Sequence, residues 1–254
     1  MAASSEIIAY LDDLLDAGGF EDLGPNGLQV PGAAEVTRVA TGVSAHRELF
    51  EAARDAGAQL ILAHHGLLWD FLPRAINPRM AEKLRILLTA DIGLAMYHLP
   101  LDAHLEHGNN ALLAEALGCE DRRPFGVYRG REIGVAGRFP GGGVPAAELF
   151  ARVREVTGGR EPLVFDAGPD PVRSIGVISG AAAGEISEAI DAGLDAFLTG
   201  EPAEHVMAEA REGRVHFIAA GHYATETLGI RRLGDLVAAR FGVEHVVLDV
   251  PNPV

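Results

Sequence analysis

Eight short apolar runs, separated for the most part by helical patterns, constrain the fold of this chain more than any other feature. They are VTRVATGVS (residues 36 to 44), QLILAHH (59 to 65), IGLAMYH (92 to 98), REIGVAGRF (131 to 139), VRSIGVIS (172 to 179), DAFLTG (195 to 200), RVHFIAAGH (214 to 222) and EHVVLDV (244 to 250). Each has the length and aliphatic, β-branched content of a strand. Amphipathic stretches lie between them: an opening helix over about Ser5 to Asp16, then HRELFEAARDAG, PAAELFARVREVTG, AGEISEAIDAG and ATETLGIRRLGDLVAARFG. Strands that alternate with helices predict an α/β fold of mostly parallel sheets flanked by helices.

The alternation changes character near residues 121 to 131. DRRPFGVYRGR is polar, carries Pro and Gly, and is followed by strands set closer together. This predicts two lobes, one of residues 1 to 125 plus 221 to 254 and one of residues 126 to 220. Two glycine-rich turns invite comparison with phosphate-binding loops. FPGGGVP (139 to 145) lacks both GxGxxG and GxxxxGK[ST] and reads as a turn before a helix, while ISGAAAGE (178 to 185) is a β-to-α turn whose N–H groups suit either a tight structural turn or an anion.

Charge and composition narrow the function classes. Acidic residues outnumber basic ones 36 to 21, for a net charge of −15, which repels a phosphate backbone and disfavours sequence-independent nucleic-acid binding. The single lysine, Lys83, leaves almost no candidate for a P-loop or Schiff-base lysine. The lone Cys119 cannot form an intramolecular disulfide, no signal-peptide pattern opens the chain, and no apolar run approaches the roughly 20 residues of a membrane span. A cytoplasmic protein is expected.

The histidines carry the chemistry. His64 and His65 end the apolar run 59 to 65, and the carboxyl end of a strand is where open α/β sheets bind ligands. Neighbouring strand residues point to opposite faces, so both imidazoles serve one pocket only if the backbone turns, and Gly66 supplies that freedom. Alone, the pair reads more readily as one capping or core histidine and one exposed. The run IGLAMYH also ends in histidine, His98, with Asp102 following on a loop stiffened by Pro100, and RVHFIAAGH ends in His222, with Glu226 four residues on. Three strands therefore deliver His64, His65, Asp102, His222 and Glu226 to one edge. Three imidazoles and two carboxylates suit two divalent ions of the Zn, Mn, Fe or Ni kind.

Other candidates carry less. His104 and His107 flank the Asp102 loop and suit hydrogen-bond support; His46, His205, His216 and His245 fall in helix or strand patterns that pack or face water. Ser44 and Ser179 lack the GxSxG elbow, and Cys119 has no nearby base in sequence.

The chain resembles the Nif3-like dinuclear metal-centre proteins, also called GTP cyclohydrolase 1 type 2 homologues. The resemblance rests on NGLQV (26 to 30), AHHGLLW (63 to 69), YHLPLDAHLEHGNN (97 to 110), LTGEPAEH (198 to 205), GHYATET (221 to 227) and DVPNPV (249 to 254), in the family's order over nearly the whole chain. It implies that His64, His65, Asp102, His222 and Glu226 ligate two metals with Glu226 bridging, and that His98 transfers protons. It also implies a two-lobed Nif3-like subunit in a toroidal homohexamer. Leu99 and Pro100 stand where some members have Thr-Asn, and Leu105 where Pro is usual; neither touches a proposed ligand.

A two-metal site with open positions suits hydrolysis. The resemblance implies purine ring opening of the GTP cyclohydrolase type, with formate released; a triphosphate needs cationic or backbone N–H partners, for which Arg74, Arg79 and the turn SGAAAG are candidates. Two alternatives stand beside it, because fold and metals do not fix a substrate: a hydrolase of another small metabolite or phosphoester, and a non-catalytic metal-binding or interaction protein.

Overall fold

The computed structural model describes all 254 residues. Thirteen strands are named in chain order: β1 (Ala2–Ala3), β2 (Gly27–Val30), β3 (Glu35–Val36), β4 (Arg38–Ser44), β5 (Leu60–His65), β6 (Gly93–Met96), β7 (Glu120–Tyr128), β8 (Arg131–Arg138), β9 (Leu163–Phe165), β10 (Ser174–Val177), β11 (Ala196–Thr199), β12 (His216–Ala219) and β13 (Glu244–Val247). All eight strands expected from the apolar runs are present, each trimmed at one end or both. The chain divides into two compact units, Met1–Leu101 with Ile230–Pro251, and Asp102–Gly229 with Asn252–Val254.

The first unit is built on a five-stranded sheet of order β13-β4-β5-β6-β2. The first four strands run parallel and β2 pairs antiparallel with β6. Leu60, Ile61, Leu62 and Ala63 of β5 are fully buried, the unbroken apolar pattern of a central parallel strand covered on both faces. Helices Arg47–Asp55 and Pro78–Thr89 contribute Leu49, Phe50 and Leu87 to the cluster that packs on Ile61 and Leu94. Their starts follow local chemistry. His46 accepts the Leu49 N–H at 3.2 Å, and Asn77 accepts the Met80 N–H at 2.9 Å ahead of Pro78.

The second unit holds a six-stranded sheet of order β7-β8-β10-β11-β12-β9. Only β10, β11 and β12 run parallel; the other three pairings are antiparallel, so this sheet is mixed. Helix Ala146–Val156 packs Leu149 and Val153 with Val135, Ile175, Leu198 and Ile218.

Residues 121 to 131, which the sequence suggests as a boundary, lie inside this second unit. They form most of β7 and a two-residue turn, Arg129 and Gly130, both at positive φ, into β8. The unit divisions fall instead after Leu101 and after Gly229. No helix is long and apolar enough to cross a membrane.

Candidate metal centre

In the first unit, His64 and His65 are the last two residues of β5, so the strand's carboxyl end presents both rings. His64 is fully buried, and its Nδ1 donates to the Tyr97 carbonyl at 2.9 Å. A carbonyl only accepts, so the ring proton sits on Nδ1 and Nε2 bears the lone pair. His65 Nδ1 lies 3.2 Å from the hydroxyl of Ser44, its register partner on β4. The two ring centroids are 4.7 Å apart.

His98 stands two residues past β6. Its backbone N–H donates to Asn26 Oδ1 at 2.9 Å and its Nδ1 meets Asp22 Oδ1 at 2.7 Å. Asp22 also accepts from the backbone N–H groups of Leu23 and Leu99 and from the Asn26 amide. Burial pushes the Asp22 carboxyl up, but the hydrogen bond and charge of His98, with the bonds from Asn26 and Leu23, bring it down to about 2. The ligand nitrogens of His64, His65 and His98 all lie within 4.8 Å of one another. Trp69 sets its ring edge-on to His98, with centroids 5.2 Å apart.

The second unit holds two groups of donors. Asp102 is buried on the short helix Leu99–Ala103, where its Oδ1 accepts from Asn109 Nδ2 at 2.9 Å and from Ser179 Oγ at 3.1 Å. Asn110 braces the same corner, donating to the Asp102 and Ile133 carbonyls and accepting the Ser179 N–H. His222 opens a single helical turn, His222–Thr225, after β12, and Glu226 closes it. His222 Nε2 lies 3.2 Å from Glu226 Oε1, and its Nδ1 lies 2.5 Å from Glu201 Oε1. Burial pulls the His222 pKa down, but Glu226 and Glu201 more than offset this and raise it to about 9.

Gly180 lies against this pair. At φ +69° it takes a conformation L side chains avoid, and a Cβ built there would fall 2.5 Å from Glu226 Oε1 and 3.2 Å from His222 Nε2. The turn ISGAAAGE thus brings bare backbone against the donors.

The first unit therefore gathers His64, His65 and His98, and the second pairs His222 with Glu226 while holding Asp102 in an amide and hydroxyl network. Two local expectations change. Gly66 does not use a positive φ; a Cβ there would strike Gln29 and Met96 Sδ at 2.5 to 2.6 Å, so its smallness is what matters. Pro100 and Asp102 lie on a helical turn, not a loop, with the proline in the first turn where no N–H is required. Among the other histidines, His216 and His245 are held by Pro169 and Asp166, and by Thr41 and Asp235. His104 and His107 stack on each other at 4.9 Å.

The whole chain, residues 2 to 253, matches the family model described as Duf34/NIF3 (NGG1p interacting factor 3). The chain belongs to the DUF34/NIF3 family. A Pseudomonas aeruginosa relative named GTP cyclohydrolase 1 type 2 homolog is 44% identical over 252 residues, covering 99% of this chain and 98% of that one. An Archaeoglobus fulgidus relative of the same name is 36% identical, with 98% of each covered. A crystal structure of a Thermus thermophilus protein superposes with a TM-score of 0.90 at 37% identity over 100% of both chains.

The sequence of this DUF34/NIF3 chain does not mark Asp22, Asn109 and Glu201 as residues that orient the donors, and it presents Ser44 and Ser179 only as nucleophile candidates, not as the partners of His65 and Asp102. Asn109 and Glu201 lie within quoted motifs, HGNN and LTGEP, and a search for acceptors and amides near the histidine motifs finds them. Asp22 and Ser44 reach their partners across 76 and 21 residues, with no local pattern to mark them.

Proposed function

We propose that this chain is a metal-dependent hydrolase in which His64, His65, Asp102, His222 and Glu226 hold two divalent ions, with Glu226 shared between them. The observation that carries the reading is the setting of the imidazoles at the ends of β5 and β6: Nδ1 of His64, His65 and His98 is taken by Tyr97, Ser44 and Asp22, so Nε2 is the nitrogen each ring offers. Ligand histidines such as His64 and His65 are held in this way by a partner on their other nitrogen, and the same hold suits a proton-transfer role for His98. Glu201 on His222, and Asn109 and Ser179 on Asp102, do the same for the remaining donors. Mixed imidazole and carboxylate donors fit Zn, Mn, Fe or Ni. The bare backbone at Gly180 supplies room beside Glu226 and His222.

Ions so held lower the pKa of water toward neutrality and polarise the bond to be cut. The chain's own groups manage the proton. Asp22 keeps the His98 proton on Nδ1, so Nε2 takes a proton from the attacking water and returns it to the leaving atom. Trp69, edge-on to His98, limits rotation of that ring.

The finer reading is hydrolysis of GTP at C8 of the base: cleavage of C8–N9 opens the ring, and cleavage of the resulting formamide releases formate. The name shared by the relatives supports it. Incubating Mn- or Zn-loaded protein with a nucleotide panel, with formate and ring-opened products as readout, tests it. Formate from GTP, lost in Glu226→Ala, is the expected result. Turnover of a phosphoester or amide with no formate moves the substrate to another class and keeps the hydrolase. Self-association into the hexamer that the family resemblance implies is part of the same proposal, and light scattering measures it.

A further inference from the structure

The stretch from Gly66 to Asn77 is neither strand nor helix, yet its first half is firmly held. Gln29 Oε1 accepts the N–H groups of Leu67 and Leu68 at 2.7 and 3.0 Å, the Asp70 N–H donates to the Leu23 carbonyl at 2.8 Å, and Trp69 Nε1 donates to the Gly66 carbonyl at 2.9 Å. With Met80 and Leu84 of helix Pro78–Thr89, the stretch lines an open cavity of about 540 Å³. That volume falls in the range that holds small molecules.

Leu68, Leu72, Ile76 and Met80 give it apolar side chains, with Trp69 among the lining residues. Ile76 is 65% exposed, so this surface does not fill a core. An apolar surface left open in this way marks a binding site. Asp70 and Arg74 are the only charged residues that line it.

Trp69 links the cavity to the imidazoles. Its ring centroid lies 5.2 Å from that of His98 and 6.2 Å from that of His65, and Phe71 stacks behind it with the planes 20° apart. A flat ring seated on Trp69 gains both area burial and aromatic contact, and stands beside the histidines of the candidate centre. Arg74 presents a planar guanidinium suited to paired oxygens, on a chain whose net charge of −15 elsewhere repels anions.

We propose that this cavity is the substrate's ring-binding subsite: it takes an aromatic ring that carries an oxyanion group, the ring on Trp69 and the oxyanion on Arg74. The assignment rests on the hydrolase reading for calling the ligand a substrate. Occupancy of the cavity itself does not depend on metal.

Calorimetry with 2-naphthyl phosphate, 2-naphthol and cyclohexyl phosphate tests it, on the chain as purified and again after chelation. In both states 2-naphthyl phosphate is expected to bind at least tenfold more tightly than cyclohexyl phosphate. Arg74→Ala, a change at an exposed position, weakens 2-naphthyl phosphate about tenfold and leaves 2-naphthol within twofold. Trp69→Leu abolishes the advantage of the ring. Equal affinities for the two phosphates, or affinities unmoved by both substitutions, overturn the proposal, as does a Trp69→Leu change in oligomeric state with no change in ligand binding. The two readings separate cleanly. Binding to the chelated chain that Arg74→Ala abolishes, with no ester cleaved by the loaded protein, keeps the subsite and removes the hydrolase; cleavage of aryl and alkyl esters with KM unmoved in both variants does the reverse.

Discussion

Asp22 and His98 meet through one contact, Oδ1 to Nδ1 at 2.7 Å, and the carboxylate that makes it is buried. The contact decides which nitrogen of His98 holds the proton. Removing the carboxylate in Asp22→Ala leaves the ring free to change tautomer, and loss of such a partner costs roughly 10- to 100-fold in activity. The substitution is expected to lower kcat by that factor, and steady-state kinetics on the best substrate measure it.

The same carboxylate ties stability to acid pH. Its pKa is about 2 in the fold against an ordinary 3.8, so the fold favours the ionised form. That stabilisation is fully present above pH 3.8 and disappears as pH falls from there to about 2; for the metal-free chain it amounts to on the order of 2 kcal/mol. Urea melts of wild type and Asp22→Asn should therefore converge across this window. Parallel pH profiles for the two proteins would contradict the assignment.

Gly180 gives a steric prediction. Alanine there places a Cβ 2.5 Å from Glu226 Oε1 at a φ of +69°. Backbone strain of about 1–3 kcal/mol and displacement of Glu226 are both expected. Gly180→Ala should fold, melt at lower temperature, and bind Mn at least tenfold more weakly, as read by calorimetry.

Cys119 is buried, and burial pushes its thiol up to about 12 despite Arg122 and Arg152 nearby. A chromogenic disulfide reagent at pH 8 is expected to leave it unmodified in the native chain and to titrate one thiol in denaturant. Above pH 9 the unfolded thiol ionises while the folded one does not, so stability falls with a slope approaching ~1.4 kcal/mol per pH unit up to about 12. Cys119→Ala removes that slope.

The central strands were legible because burial writes itself into them. Leu60 to Ala63 have no exposed face, and the apolar run that results is readable without any partner in view. Edge strands carry no such mark. β7 holds Glu120, Asp121, Arg122, Arg123 and Pro124, all exposed, and it exists because β8 pairs with it. β2 and β9 are short edge strands of the same kind.

The histidine pairs were visible for a related reason: strand ends are fixed points, and side chains with metal-binding chemistry collected there. Their supports were not. Ser44 faces His65 only because β4 and β5 pair in that register, and Asp22 reaches His98 from an irregular segment. Gly66 illustrates the limit from the other side, since its local meaning as a turn gave way to a close approach by Gln29.

Metal content is the most direct measure of the central claim. Native mass spectrometry of the Mn- or Zn-loaded chain should find two ions per chain in wild type. It should find fewer in Asp102→Ala and in Glu226→Ala, each with an unchanged circular dichroism spectrum. Two ions retained in both variants, or none bound by wild type, would contradict the account.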